Sequence, residues 1–433
     1  MATLKDRIDG FMNVFTKRGT TKDRNIYTKF VWEGLFPDKT NLDIYNGDGI
    51  GAEIVDAYAE DMTRRWISIN DDEDQEILKA MASIDTQKKF KRAITWAYAT
   101  GAGVIYIGAD DGSDDPAMPL NEKQLKAIKF LKVFNKSQVW KDTTRRNTDP
   151  YDKNFGDCDY YTLTPANGTS FEVHRSRIIE IDGIETDGDT WAANGDFNIS
   201  IYQRVFSRLA GLNDGYAAAS DTLQEYVITV LKMAGLFQHM KTPGGENQVV
   251  NRLDLLSMSK HSLNAYAVDA DAGEEIQRLS TSLSGVPDTI EKLEDAVSVA
   301  SGVPPIKLYN RPSKGLSGNN NNELRLWYDK VESLQVEKIL RGIEYISYLI
   351  QVSSEGPTGG VYDESKTVSF NGLWQETSEE KAKNYKTTAE GDGLYIDRGV
   401  LEPDEVARSR FENNPEITLS EDHFEEDLNA EED

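Results

Sequence analysis

The stretch from Ser284 to Gln351 constrains this chain more than any other, because it reads as a short helix, a polar loop and a long helix. Within PDTIEKLEDAVSVASG (287–302), Ile290, Leu293, Ala296, Val297 and Ala300 recur at helical spacing. Gly302 stands where a C-terminal cap belongs, and Pro304 and Pro305 stop the helix just beyond it. The run NRPSKGLSGNNNN (310–322) follows; its Gly and Asn residues tolerate positive φ and leave almost nothing to bury. From Glu323 the period resumes through Leu324, Trp327, Tyr328, Val331, Gln335, Ile339, Ile343 and Ile346 to Leu349 or Ile350. At 1.5 Å per residue that helix is on the order of 40 Å long. On its residues alone, the polar loop is as readily a plain surface loop as a functional one.

A chain of 433 residues exceeds one ordinary core and predicts two to four structural units. With 38% hydrophobic and 28% charged residues the composition is that of a globular protein, and no run approaches the ~20 apolar residues of a membrane span. MATLKDRIDGFMNVFTKRG at the start has no apolar signal core, so neither export nor membrane insertion is expected. The lone Cys158 excludes an intrachain disulfide and a thiolate-rich zinc site, and maturation in a reducing cytoplasm is expected. Net charge is −26. From residue 351 onward 22 Asp and Glu face 7 Lys and Arg, whereas residues 1–46 carry 8 basic and 6 acidic side chains. Tight duplex binding needs a stripe of Lys and Arg against phosphates. None is present, so any contact with DNA is expected to be loose.

Residues 1–46 read as an arm with scattered aromatics and no long period. GDGIG (47–51) superficially resembles a dinucleotide-binding loop, but no β-branched strand leads into it and the third glycine is missing. A helix start before Ala52–Arg65 accounts for it. Residues 72–108 predict two helices and a strand, with Asp85 or Thr86 as cap, Phe90, Ala93, Ile94 and Ala97 on one face, and Val104–Ile107 as a buried strand. Strand-like runs return at Ala127–Trp140, Asp159–Leu163, Ser170–His174 and Arg177–Ile181, with Asn167-Gly168 as a hairpin turn. This is an α+β pattern, without βαβ alternation. From Ile201 to Gly235 a long helical period carries a small-residue middle, Ala210, Gly211, Gly215, Ala217, Ala218, Ala219 and Ser220, which allows a close helix–helix contact. Residues 236–285 predict a helix at Glu246–Met258 and a strand pair at Ala265–Val268 and Glu275–Leu279. Val361–Trp374 is strand-like, Thr377 and Glu380 form a capping box for a helix through Ala389, and Pro403 opens a helix to Phe411. The last 14 residues hold eight carboxylates and one aromatic, too little apolar surface to order them unaided.

Four histidines, His174, His239, His261 and His423, form no HExxH and no metal-ligand spacing. His174-Arg175-Ser176 has the H-x-S pattern that two-histidine phosphoesterases need twice; the second copy is absent, and one histidine cannot supply both acid and base. No GxSxG elbow or P-loop occurs. DDGSDD (110–115) offers hard oxygen ligands but lacks the twelfth-position glutamate of a calcium loop, and reads as a solvated turn. No catalytic residue, metal site or cofactor is predicted.

ASGVPPIKLYNRPSKGLSGNNNNELRLWYDKVESLQ (300–335) closely resembles the tunnel-loop segment of tailed-phage portal proteins. The matching features are Ser301-Gly302-Val303-Pro304, the Pro312–Leu316 loop and Trp327-Tyr328-Asp329. AYAEDMTRRWISI from Ala57, FKRAITWAYATGAGVIYIG from Phe90, FEVHRSRIIEIDG from Phe171 and GYAAASDTL from Gly215 extend the resemblance over roughly residues 50 to 350. It implies a multidomain α+β portal fold in a ring oligomer: N-terminal arm 1–46, wing 47–200, first stem helix 201–235, clip 236–285, second stem helix 286–303, tunnel loop 304–322, further wing with the long helix 323–375, helical crown 376–419 and a disordered acidic tail 420–433. It also implies a DNA-channel loop carried by Arg311, Lys314, Gly315, Ser317, Asn319 and Asn320. Ala210, Gly211, Gly215, Ala217, Ala218 and Ala219 would then pack between subunits. Implied partners are eleven further copies in a dodecamer, double-stranded DNA, the terminase large subunit, a head–tail connector, and the major capsid and scaffolding proteins. The location implied is the virion's portal vertex after assembly in the host cytoplasm, and the role is that of a conduit, not an enzyme. An acidic phage-encoded hydrolase or phosphodiesterase is the alternative.

Overall fold

Asp48 closes one helix and opens the next. Its backbone N–H caps α1 (Asp38–Gly47), and its side chain accepts from Gly51 N at 2.7 Å at the start of α2 (Gly49–Arg64). The GDGIG run is thus a helix N-terminus. Helix α1 falls in the stretch expected to lack periodic structure; at ten residues it is held from outside, by Lys136 on Asp38 (2.8 Å) and by Tyr45 against Trp96. The computed structural model describes residues 34–70, 72, 75–152, 154–224, 227–232, 251, 254, 275–280, 285–311, 320–375 and 378–411. Most of the predicted arm, nearly all of the 236–285 insert, the loop 312–319 and the acidic tail lie outside these. The chain divides into two compact units, Met1–Asn371 and Gly372–Asp433.

In the first unit β1 (Ile67–Ile69) leads to α3 (Glu76–Ser83) and α4 (Thr86–Thr100). The expected cap of α4 is absent: Asp85 sits in the left-handed region (φ +57°) without a capping bond, and the Thr86 hydroxyl donates back to Met81 O. Strand β2 (Ala102–Asp110) is the buried strand predicted around Val104. The single strand expected at 127–140 is two, β3 (Ala127–Asn135) and β4 (Val139–Lys141), because a 3₁₀ turn with a reciprocal Asn135–Gln138 cap intervenes. β5 (Tyr160–Leu163), β6 (Phe171–His174) and β7 (Ile178–Asp182) complete two antiparallel sheets, β3-β2-β7 and β4-β5-β6. The Asn167-Gly168 hairpin is present, with Leu163 paired to Phe171. Val104, Phe134, Tyr161, Leu163, Val173 and Ile178 fill one core with residues from both sheets.

DDGSDD is a turn exposed at Gly112, Asp114 and Asp115, as expected, but it is anchored by one buried carboxylate. Asp111 is buried, accepts from Asn121 N at 2.9 Å and meets Arg177 Nη2 at 2.6 Å. Burial alone would push its carboxyl up; the Asn121 N–H and the Arg177 guanidinium outweigh it and hold the group below its ordinary value. Among the described residues no group of three or more His, Cys, Asp or Glu could hold a metal ion.

After the short α5 (Gly188–Ala193), α6 (Tyr202–Gln224) ends eleven residues before the predicted Gly235. Val227 and its β-branched neighbours form β8 (Val227–Lys232), antiparallel to β9 (Glu275–Ser280) in six pairs from Val227↔Ser280 to Lys232↔Glu275. The helix expected at 246–258 and the strand at 265–268 fall outside the described residues, apart from two isolated positions. α7 (Val286–Ser301) packs along α6 and stops at Gly302, whose φ of +69° only glycine adopts without strain. The brief α8 (Pro305–Leu308) follows. α9 (Asn320–Gln335), starting three residues before the predicted Glu323, runs through a π turn (Val336–Leu340) into α10 (Arg341–Val352). Of the strand-like 361–374 only β10 (Val368–Phe370) is a strand, paired with β1. The second unit holds α11 (Ser378–Asp397), longer than predicted, and α12 (Pro403–Phe411), joined by Arg410 on Asp392 at 3.1 and 3.2 Å. Among the described residues no helix is long and apolar enough to cross a membrane.

Candidate functional site

The ends of the 309–319 segment are seated on one face of α2. Tyr58 and Asp61 lie three residues apart there, both buried. Asp61 receives Lys307 Nζ at 3.1 and 2.9 Å from α8, ahead of the segment, and Trp327 Nε1 at 2.7 Å from α9, behind it. One turn earlier Tyr58 repeats the arrangement: its hydroxyl donates to Ser301 O at 2.8 Å and accepts from Lys330 Nζ at 2.9 Å. Lys330 also donates to Gly302 O at 3.1 Å, and burial pulls its ammonium below the usual lysine range. Tyr58 stacks on Tyr98 with ring centres 4.4 Å apart, which fixes its hydroxyl.

Arg311, predicted to face the channel, is committed elsewhere. Its guanidinium meets Glu291 at 2.8 Å, Glu294 at 3.0 Å and Asp295 at 3.3 Å, all on α7. Tyr216 of α6 donates to Glu294 at 2.7 Å; burial first, then that carboxylate, pushes the phenol up to about 12. Asn320 is the first residue of α9, and Lys314, Gly315, Ser317 and Asn319 lie outside the described residues.

The small-residue cluster of α6 is not uniform. Gly215 is a close approach within the chain, where a Cβ would collide with the Leu293 side chain of α7. Gly211 has open space where its Cβ would stand, Ala217 and Ala218 are exposed, and Ala210 and Ala219 are half-buried.

Neither Asp61 nor Tyr58 was picked out as a site residue by the sequence, since their partners lie more than 240 positions away. The π turn did leave a trace. Buried Trp327, Val331, Gln335, Ile339 and Ile343 are spaced by four throughout. At 3.6 residues per turn that stripe drifts by about 160° across four steps, and one widened turn returns much of the drift. Lys338, in that turn, donates to Asp182 O and Gly183 O at 3.1 and 2.6 Å.

His174 ends β6 and caps the next turn. Its Nδ1 lies 2.9 Å from Ser176 Oγ and accepts from Ser176 N at 3.2 Å, while Ser176 Oγ accepts from Leu120 N. The H-x-S pattern is therefore a folded turn in which both side chains hold backbone, and burial lowers the imidazole pKa. The other three histidines lie outside the described residues.

The described residues form a mixed helix-and-sheet body in which α6 packs along α7 and buried polar groups brace the ends of loops. The chain matches the phage portal protein family over residues 39–393 and belongs to it. Its fold is similar to a chain in the neck of an empty gene transfer agent particle computed with C6 symmetry, at a TM-score of 0.50 and 14% identity, covering 91% of this chain and 97% of that one. A Haemophilus influenzae protein of uncharacterized role is 24% identical over 98% of this chain and 94% of its own length. A Caulobacter protein called anti-CBASS protein Acb1 is 26% identical over 89% of this chain, but the match spans only 62% of that protein.

Proposed function

We propose that this chain is the subunit of a portal ring that surrounds DNA at one capsid vertex and serves packaging, retention and ejection. The observation that carries the reading is the α6–α7 pair. Beyond Leu212 every described residue of α6 is exposed or half-buried, and Gly211, Ala217 and Ala218 present a surface bare enough for another helix to approach. A helix pair that buries so little of itself gains most of its stability from neighbours. On this reading α6 and α7 are the stem, 236–285 the clip, 376–419 the crown, and twelve copies close the ring. The terminase large subunit and then the head–tail connector dock on the clip, and capsid and scaffolding proteins hold the rim.

Arg311 is spent on three carboxylates, so Lys314 is the cation assigned to the DNA phosphates. One lysine per subunit gives weak contacts repeated round the ring, which hold DNA without arresting it. The hydrolase alternative rests on His174 and Ser176, whose Nδ1 and hydroxyl accept the backbone N–H groups of Ser176 and Leu120. Particle mass and electron microscopy of the purified protein, followed by an in vitro packaging assay, test the proposal. A closed ring that supports packaging, and loses it on Lys314→Glu with the ring intact, is the expected result. A monomer or dimer would refute the ring, and full packaging by the Lys314→Glu ring would refute the loop's role.

A further inference from the structure

We propose that Asp61 is a positioning residue that locks the two ends of the 309–319 segment to each other, an inference that rests on the channel reading above. One carboxylate, 1% exposed, holds Lys307 before the segment and the Trp327 indole after it. Indole nitrogen only donates, and an ionised carboxylate only accepts, so each partner is matched and neither is interchangeable. If Lys307 leaves, Asp61 keeps a buried charge answered only by the Trp327 N–H and by Arg64 at 3.7 Å; if Trp327 leaves, a buried acceptor loses its one neutral donor. Each end is thus costly to release while the other stays. The two ends hold or loosen as a pair.

Tyr58 gives the same linkage a second time, between Ser301 and Lys330, from the preceding turn of α2. Two side chains on one helix face therefore bridge the same gap in the chain twice. Another buried pair, Asp111 with Arg177, joins two turns and touches neither flank.

The test uses the full-length protein with Asp61→Asn and, in case that variant does not fold, Trp327→Phe. Asp111→Asn, compared at equal distance below its own melting temperature, is the control for general destabilisation. Amide hydrogen exchange is read in the peptides 303–311 and 320–328, alongside ring formation and DNA retention. Both flanks should exchange faster by about tenfold in Trp327→Phe, as for loss of one hydrogen bond to a charged group. The 303–311 flank matters most, since Trp327 is not part of it. DNA retention should fall in rings that still form. Loosening confined to 320–328, equal loosening in Asp111→Asn, or unchanged retention despite loosened flanks would each overturn the proposal. If wild-type rings fail to hold DNA, the channel reading is lost instead, while the exchange result still decides whether the two ends are coupled.

Discussion

The two halves of α6 are built from one continuous helix and live under opposite conditions. Its first half buries Tyr202, Val205, Leu209 and Leu212, and Tyr202 donates to Gly51 O at 2.8 Å, so it is part of the core. Its second half touches chiefly α7 and leaves Leu223 61% exposed. The first half is specified by its own chain; the second meets its own chain at Asn213, Gly215 and Tyr216 and is otherwise largely bare. A helix that changes from apolar to small and bare along its length marks where self-sufficiency ends.

The most severe test of the self-sufficient side is Arg177→Ala, which strands Asp111. It should cost about 3–5 kcal/mol, read by denaturant unfolding. Leu212→Ala, at the buried half of α6, should cost about 2–5 kcal/mol. Leu223→Ala at the other end should stay within about 0.5 kcal/mol in a dissociated subunit. Equal costs at both positions would erase the distinction between the halves. Gly215→Ala forces a methyl onto Leu293 and should cost about 1–3 kcal/mol. Gly211→Ala has free space in the single chain and should gain up to about 1 kcal/mol in helix propensity there. If Gly211→Ala nevertheless impairs assembly in a sedimentation assay, a neighbour's helix occupies that space.

The smallest effect is in pH. Asp111 has a folded value below its unfolded one of about 3.9, so its stabilisation is fully present above roughly pH 4. It is lost as pH falls through the depressed folded value, and Asp111→Asn should flatten that limb of an acid-unfolding curve. An unchanged acid limb would mean the pair contributes nothing to acid resistance.

These contrasts also explain what could be read in the chain. Helix periods, the Gly302 stop and the Asn167-Gly168 hairpin are local signals, written within a few residues of where they act. Asp61 with Lys307, or Asp111 with Arg177, is settled by a partner 246 or 66 positions away, and nothing local distinguishes such a carboxylate from a solvated one. Val227–Lys232 failed for another reason. Its apolar residues continue the helical spacing of α6, and only the ladder with Glu275–Ser280 decides for strand. Arg311 was legible as a cation but not as a neutralised one, because the acids that bind it belong to the preceding helix.

The β8–β9 ladder has a consequence for how such a chain can diversify. Its six pairs bring Lys232 and Glu275 face to face, so everything inserted between them leaves and returns at nearly one point. Closing a loop on such a clasp becomes harder only slowly with length, by about 0.6 kcal/mol for each doubling. The segment between those two residues can therefore lengthen, shorten or be exchanged for another sequence with little strain on α6 and α7. Where the clasp holds, this end of the chain can change by insertion and deletion while the body that carries it stays the same.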